Sequence, residues 1–307
     1  MSTEPRVTAD TTNNVVDLPF AEPYHAGAML AALSSHAVLG VEVSDVEAGT
    51  HRRALRTPNG PAVLALSFGG GRVTVATEPH VTDTRWLTTT VRRWLDLDAD
   101  PRVIEAALGS DPLIGPLLAV RPGLRVLGYA DPFEGAITTV IGQQVSLAAT
   151  RTFGGRLVAA FGTRVRDGFS VFPTAEQLAA LTPLEVQRAV GITSARARTV
   201  VRLAAAFAGG LTLEAGAEPA ITRAALLELP GIGPWTVDYL SVRALGDRDA
   251  FVPGDLVLRR ALGVATAKEA DALAEAWRPF RAYALFHLWT MAAYLPPSGS
   301  TPGRDRR

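Results

Sequence analysis

Two hydrophobic periodicities divide this 307-residue chain. From Val15 to about Ala76 the apolar residues come in short, nearly alternating runs: Ala37 to Val43, His51 to Leu55, Ala62 to Phe68 and Arg72 to Ala76. Turn formers separate the later runs at Pro58-Asn59-Gly60 and Gly69-Gly70-Gly71. A period of two bounded by such residues predicts strands, and their close spacing predicts an antiparallel sheet. Helical spacing interrupts the sheet at Gly27 to Ser34 and follows it at Asp83 to Leu95. Beyond about Gly109 the strand signal disappears. Helical patterns then run at Asp131 to Gln143, Ser146 to Phe161, Thr174 to Ala180, Pro183 to Val190, Ser194 to Phe207, Ile221 to Leu229, Pro234 to Leu245, Asp255 to Leu262, Ala267 to Ala276 and Pro279 to Tyr294. Thr182-Pro183 and Gly233-Pro234 place proline at a first helical position. The expected fold class is an α+β N-terminal domain (14–110, antiparallel sheet with helices) followed by an all-α region (111–295) of two helical lobes. Residues 1–13 and 296–307 carry no apolar period and are expected to be disordered tails.

Composition narrows the chemistry. Hydrophobic residues make up 48% of the chain, enough for a filled core, yet no apolar run reaches the length of a membrane span. The N-terminus lacks an apolar signal core, so a cytoplasmic protein without membrane attachment is expected. The absence of cysteine excludes disulfides, thiolate zinc sites and cysteine-ligated iron–sulfur clusters. The five histidines (25, 36, 51, 80 and 287) lack ligand spacing, so no catalytic metal is expected. Basic and acidic residues balance at 30 each, so bulk charge argues neither for nor against nucleic-acid binding. A phosphate can be gripped by backbone amides and helix N-termini instead. Lys268 is the only lysine.

The most informative stretch is 229–256, LPGIGPWTVDYLSVRALGDRDAFVPGDL. It opens on a tight turn between two helical patterns. With no side chains at Gly231 and Gly233, the amides of Gly231, Ile232 and Gly233 can approach an anion. Pro234 then starts a helix whose dipole favours negative charge at the same place, and Thr236 can add a hydroxyl contact. The carbonyls of Leu227, Leu229 and Ile232 can hold Na+ or K+ beside that anion. An ordinary αα-hairpin with glycine in its turn accounts for the same residues. Asp255 follows the turn Val252-Pro253-Gly254. It can cap the next helix, and it can also stabilise positive charge on a sugar whose glycosidic bond is breaking.

LPGIGPWTVDY followed by FVPGDLVLRRAL resembles the helix–hairpin–helix DNA glycosylases, and more narrowly the bacterial 3-methyladenine DNA glycosylase II branch. PFEGAITTVIGQQVSLAAT (132–150), RPGLRVLG (121–128), WRPFRAYALFHLW (277–289) and LPFAEPY (18–24) resemble that branch as well. The resemblance implies excision of alkylated bases, of the 3-methyladenine and 7-methylguanine type, from double-stranded DNA by a monomer that flips the damaged nucleotide. It makes Asp255 the catalytic carboxylate and Asp238 structural. It places Trp235, Tyr239 and Trp289 around the flipped base, where electron-rich rings attract cationic purines. It assigns the Gln143-Gln144 loop to the gap in the duplex; the branch often has an apolar wedge at the second position, and here it is Gln144. Relatives that nick DNA use a lysine just after the hairpin. Trp235 stands there, so hydrolysis without a lyase step is expected, with no cofactor beyond Na+ or K+ at the hairpin. A non-catalytic hairpin protein that binds DNA, a glycosylase for oxidised or mismatched bases, and a protein scaffold are the alternatives.

Overall fold

The computed structural model describes residues 15–213 and 218–295; the expected tails, 1–13 and 296–307, lie outside the described residues. The chain runs β1 (Val15–Pro19), α1 (Ala26–His36), β2 (Glu42–Asp45), β3 (Thr50–Thr57), β4 (Gly60–Gly69), β5 (Arg72–Glu78) and α2 (Thr84–Leu95). These strands form a five-stranded antiparallel sheet ordered β1-β5-β4-β3-β2. Val16, Leu18, Leu64, Leu66, Val73 and Val75 alternate along their strands onto one face and are buried with Met29 and Leu30 of α1 and Leu87, Val91 and Trp94 of α2. The run Ala37 to Val43 is a correction to the expected strand, because β2 begins only at Glu42. Val38 and Val41 sit in the turn after α1, where the Val41 amide donates to the Val38 carbonyl at 3.0 Å. Their apolarity serves a second core, not a strand face.

The helical part continues with α3 (Pro101–Leu108), α4 (Gly115–Val120), α5 (Pro132–Ile141), α6 (Leu147–Phe161), α7 (Ala175–Ala179), α8 (Pro183–Val190), α9 (Ser194–Ala208), α10 (Pro219–Leu227), α11 (Pro234–Arg243), α12 (Leu256–Leu262), α13 (Ala267–Ala274) and α14 (Arg281–Trp289). The last ends in a π-helical turn, Thr290–Tyr294. α3 and α4 are not among the helices expected from the sequence. Strand structure also does not stop at Gly109. A minimal pair, β6 (Thr163–Arg164) and β7 (Ser170–Val171), lies between α6 and α7, and Phe169 and Val171 pack on Ala54 and Val63 of the large sheet. No described helix is long and apolar enough to cross a membrane.

Burial divides the helices differently from chain order. Trp277 and α14 join the core of the N-terminal sheet. The helices α5 to α11 build the second core, with Val38 and Val41 inserted from the N-terminal part. A buried ion network crosses between these regions: Arg53 of β3 donates to Glu134 of α5 at 2.7 Å and to Glu42 of β2 at 3.3 Å. The junction of the two cores is where the sequence-predicted residues converge.

Candidate active site

The turn between α10 and α11 needs glycine at one position for shape and leaves one position open. Gly231 has φ +96°, and a β-carbon there would stand 2.0 Å from the Thr199 hydroxyl oxygen. Gly233 has φ −110° and ψ 177°, ordinary extended backbone, and a β-carbon there would meet nothing. Glycine at 233 therefore answers neither strain nor crowding within the chain; it leaves room in front of α11. That helix has no side-chain cap, and the amides of Gly233, Trp235 and Thr236 find no acceptor among the described residues. Free amides with the helix dipole behind them favour an anion.

Two of the expected contacts are corrected. The Ile232 amide is already spent on the Leu229 carbonyl, at 2.9 Å, so it is not free for an anion, whereas the carbonyl oxygen keeps a second lone pair. Ile232 itself is buried in the second core. Thr236 is only 2% exposed, and its hydroxyl accepts from Gln143 Nε2 at 2.9 Å. The carbonyls of Leu227 and Ile232 remain without a partner among the described residues.

Asp255 caps α12, its Oδ1 accepting the Leu258 amide at 2.8 Å. The capping role and a chemical role coexist, because the same carboxylate receives two indoles. Trp289 Nε1 donates to Oδ1 at 3.1 Å and Trp235 Nε1 to Oδ2 at 3.2 Å. All three donors are neutral, and no Arg, Lys or His pairs with Asp255 among the described residues. The charge is thus held in place without being neutralised.

Beside it opens a cavity of about 240 Å3 lined by Trp235, Tyr239, Asp255, Trp289, Tyr129 and Tyr294. Tyr239 stacks on Trp235 with centroids 5.2 Å apart and 23° between planes, and lies 5.4 Å from Trp289. Burial pushes the Tyr239 hydroxyl well above its usual range, so it stays protonated. The i, i+4 spacing of Trp235 and Tyr239 on α11 placed them together as expected. Trp289 reaches the site from α14, through the other core.

Models of two families match adjacent parts of the chain: the AlkA N-terminal domain over residues 15–131, and the HhH-GPD superfamily of base excision DNA repair proteins over residues 137–279. The DNA-3-methyladenine glycosylase 2 of Escherichia coli is 31% identical over 91% of this chain and 98% of its own length. The chain belongs to the HhH-GPD superfamily. A Mycobacterium tuberculosis relative, a probable bifunctional transcriptional activator/DNA repair enzyme AlkA, is 39% identical over 89% of this chain, which spans 56% of that relative's length. The fold is shared with a 3-methyladenine DNA-glycosylase from Archaeoglobus fulgidus, with a TM-score of 0.77 at 21% identity, covering 91% of this chain and 97% of that one.

In this member of the superfamily the two loop glutamines have different duties. Gln143 braces the hairpin: its Nε2 also donates to the Gly231 carbonyl at 3.1 Å, and its own carbonyl accepts from Arg196. Gln144 is exposed, with φ +56°, a left-handed conformation uncommon outside glycine. Asp238 lies outside the cavity, paired with Arg223 at 2.7 Å. Lys268 is on α13 and does not line the cavity. No group of three or more His, Asp or Glu suited to a metal occurs among the described residues.

Sequence reasoning missed the floor of the cavity: His36 on α1, Tyr129 before α5, and Tyr294 in the π-helical turn. They come from three distant segments, and no local spacing joins them. Behind them lies Arg243, which is 2% exposed and donates to the Tyr239 hydroxyl at 3.0 Å. Its signal was legible, since Trp235, Tyr239 and Arg243 follow at four-residue steps along α11.

Proposed function

We propose that this protein is a DNA glycosylase that removes alkylated purines from double-stranded DNA by hydrolysis, acting as a monomer and leaving the strand intact. One observation carries the reading: Asp255 keeps its negative charge free of any cationic partner at the mouth of an aromatic cavity, beside a helix N-terminus with unsatisfied amides. Phosphate on the amides of Gly233, Trp235 and Thr236 fixes the strand. The flipped base enters among Trp235, Tyr239 and Trp289, whose π-faces favour an electron-poor ring. As the base leaves, positive charge grows on the deoxyribose, and Asp255 stabilises it and orients water. A base that already carries positive charge departs readily, so one carboxylate suffices. Gln144 fills the gap in the duplex, and a monovalent cation bridges the carbonyls of Leu227, Leu229 and Ile232 to the phosphate.

The absence of a strand-nicking step follows from amine placement, because an imine needs a primary amine at the sugar, and Trp235 stands where lyase relatives carry lysine. The decisive experiment incubates the protein with methylated duplex DNA and identifies the freed bases by mass spectrometry. Release of 3-methyladenine or 7-methylguanine with an intact abasic strand is expected. Release no faster than from DNA alone refutes the assignment, and a borohydride-trapped covalent adduct refutes the hydrolytic mechanism.

A further inference from the structure

Charge is unevenly spread in this chain, although its total is zero. The helices α6 to α9, residues 147–208, hold eight arginines and three acidic residues. That lobe abuts both the loop and the hairpin. Arg196 of α9 donates to the Gln143 carbonyl, and the Thr199 hydroxyl lies 3.2 Å from the Pro230 carbonyl. Of these arginines, Arg151 of α6 is the one that lines the cavity. Packing sets its place. Glycine at 154 and 155 lets α6 lie against the turn after α1, where a β-carbon at 155 would stand 2.8 Å from Leu39 Cβ and one at 154 would stand 3.3 Å from Val38 Cγ1. This approach brings Arg151 to the end of α1, and its Nε donates to the Ala37 carbonyl at 3.1 Å. Among the described residues no carboxylate pairs with Arg151, and its two terminal nitrogens have no partner. The side chain is half-buried, and Ser146, which caps the same helix and also lines the cavity, is exposed, so this wall reaches the mouth.

We propose that Arg151 is a phosphate contact at the cavity mouth: its two terminal nitrogens take the backbone phosphate on one side of the flipped nucleotide, while the hairpin amides take the phosphate on the other. The inference rests on the cavity receiving a nucleotide from DNA, and it adds a second hold on that strand. Charge and shape identify the ligand. A guanidinium offers two parallel N–H donors that match two phosphate oxygens. The tether to Ala37 fixes the fork before DNA arrives, so little freedom is lost on binding. A cationic purine in the cavity would be repelled by the same group, so the base is not its partner. Asp255 is not its partner either, being held by Leu258, Trp235 and Trp289. Flipping costs stacking energy, and charge-assisted contacts made only in the flipped state offset it.

Binding of the full-length protein is measured against a duplex with a single tetrahydrofuran abasic analogue, across a range of salt. This probe needs no base release. Arg151→Gln should weaken binding about ten-fold, the scale of a hydrogen bond to a charged group, and should lower the steepness of log K against log salt by about one. Arg151→Lys keeps the charge and loses the fork, so it should keep the steepness. A neutral methylphosphonate, placed singly at each of the two phosphates flanking the analogue, locates the contact. At one of them it should weaken the wild-type protein about ten-fold and Arg151→Gln hardly at all; at the other both proteins should lose equally. Equal losses in both proteins at both positions, or a salt dependence unchanged in Arg151→Gln, overturns the proposal. So does Arg151→Lys binding no better than Arg151→Gln, which would assign the effect to the Ala37 tether. Methylated duplex DNA is assayed in parallel. Coupling to a phosphate without base release sinks the catalytic reading and leaves the contact standing, whereas base release without coupling sinks the contact alone.

Discussion

Carboxylates are held in opposite ways at two sites of this molecule. At the boundary between the sheet and α5, Glu42 and Glu134 share one guanidinium, Arg53, which is 4% exposed. At the cavity, Asp255 is held by two indoles and a backbone amide, none of them charged. The first arrangement cancels charge so that it can be buried. The second fixes the position of a charge and leaves its field available. A carboxylate that must meet a transient cation cannot already be paired with a permanent one.

Removing the cation from the first site should have the largest effect on the molecule. Arg53→Met leaves Glu134 buried without a partner and Glu42 with only His51 and the Val38 amide, and should cost about 3–5 kcal/mol of stability, measured by urea unfolding. Burial already raises the Glu134 pKa, whereas Arg53 and His51 hold that of Glu42 down. Without Arg53 both groups escape by taking up protons, so the loss should be greater at pH 8 than at pH 5. An equal loss at both would mean that packing, not charge, dominates there.

At the cavity the loss should appear in rate instead. Asp255→Asn removes the charge and also turns an amide N–H2 toward indoles that can only donate. Base release from methylated DNA should fall about a thousand-fold, a change of about 4 kcal/mol in the barrier, while duplex binding in a gel-shift assay persists. Loss of binding in step with rate would show that Asp255 holds the helix end and not the reacting sugar.

Asp96 shows what neutral donors cost when the carboxylate is enclosed. It accepts from the Tyr283 hydroxyl at 2.8 Å and the Val126 amide at 3.4 Å, and burial raises its pKa from 3.8 to about 6. The folded state then binds a proton more tightly than the unfolded chain between those values. Stability from this group is therefore present at low pH, falls as pH rises through about 4 to 6, and levels off above. Asp96→Asn should remove that decline, about 2–3 kcal/mol, as read from melting curves across the range. A slope unchanged in the variant would assign it to another group.

The contrast between the sites explains what could be read from the sequence. The strands at 51–76, the helices after Asp131, and the pairing of Trp235 with Tyr239 announce themselves through local spacing. Asp255 stood out because a turn and a helix start bracket it. The partners that give these residues their meaning are distant in the chain: Trp289 arrives through α14, and His36 through α1 in the N-terminal part. The hairpin was legible in outline only. Which amides remain free depends on Ile232 bonding to Leu229, and which glycine is sterically required depends on Thr199. Neither is a property of the turn's own sequence.

The smallest effect separates holding a charge from neutralising it. Trp289→Phe keeps the ring beside Tyr239 but deletes one N–H to Asp255. Two consequences oppose each other. The freed Oδ1 lone pair strengthens the field at the cavity, while the carboxylate loses one of three tethers. Leu258 still holds the same oxygen at 2.8 Å and Trp235 holds the other, so the side chain should shift without swinging away. A hydrogen bond to a charged group sets the scale, and kcat/KM for base release should fall by about ten-fold. A loss approaching that of Asp255→Asn would mean that the indole N–H takes part in the chemistry. A gain in rate would mean that its donation restrains a carboxylate otherwise poised closer to the sugar.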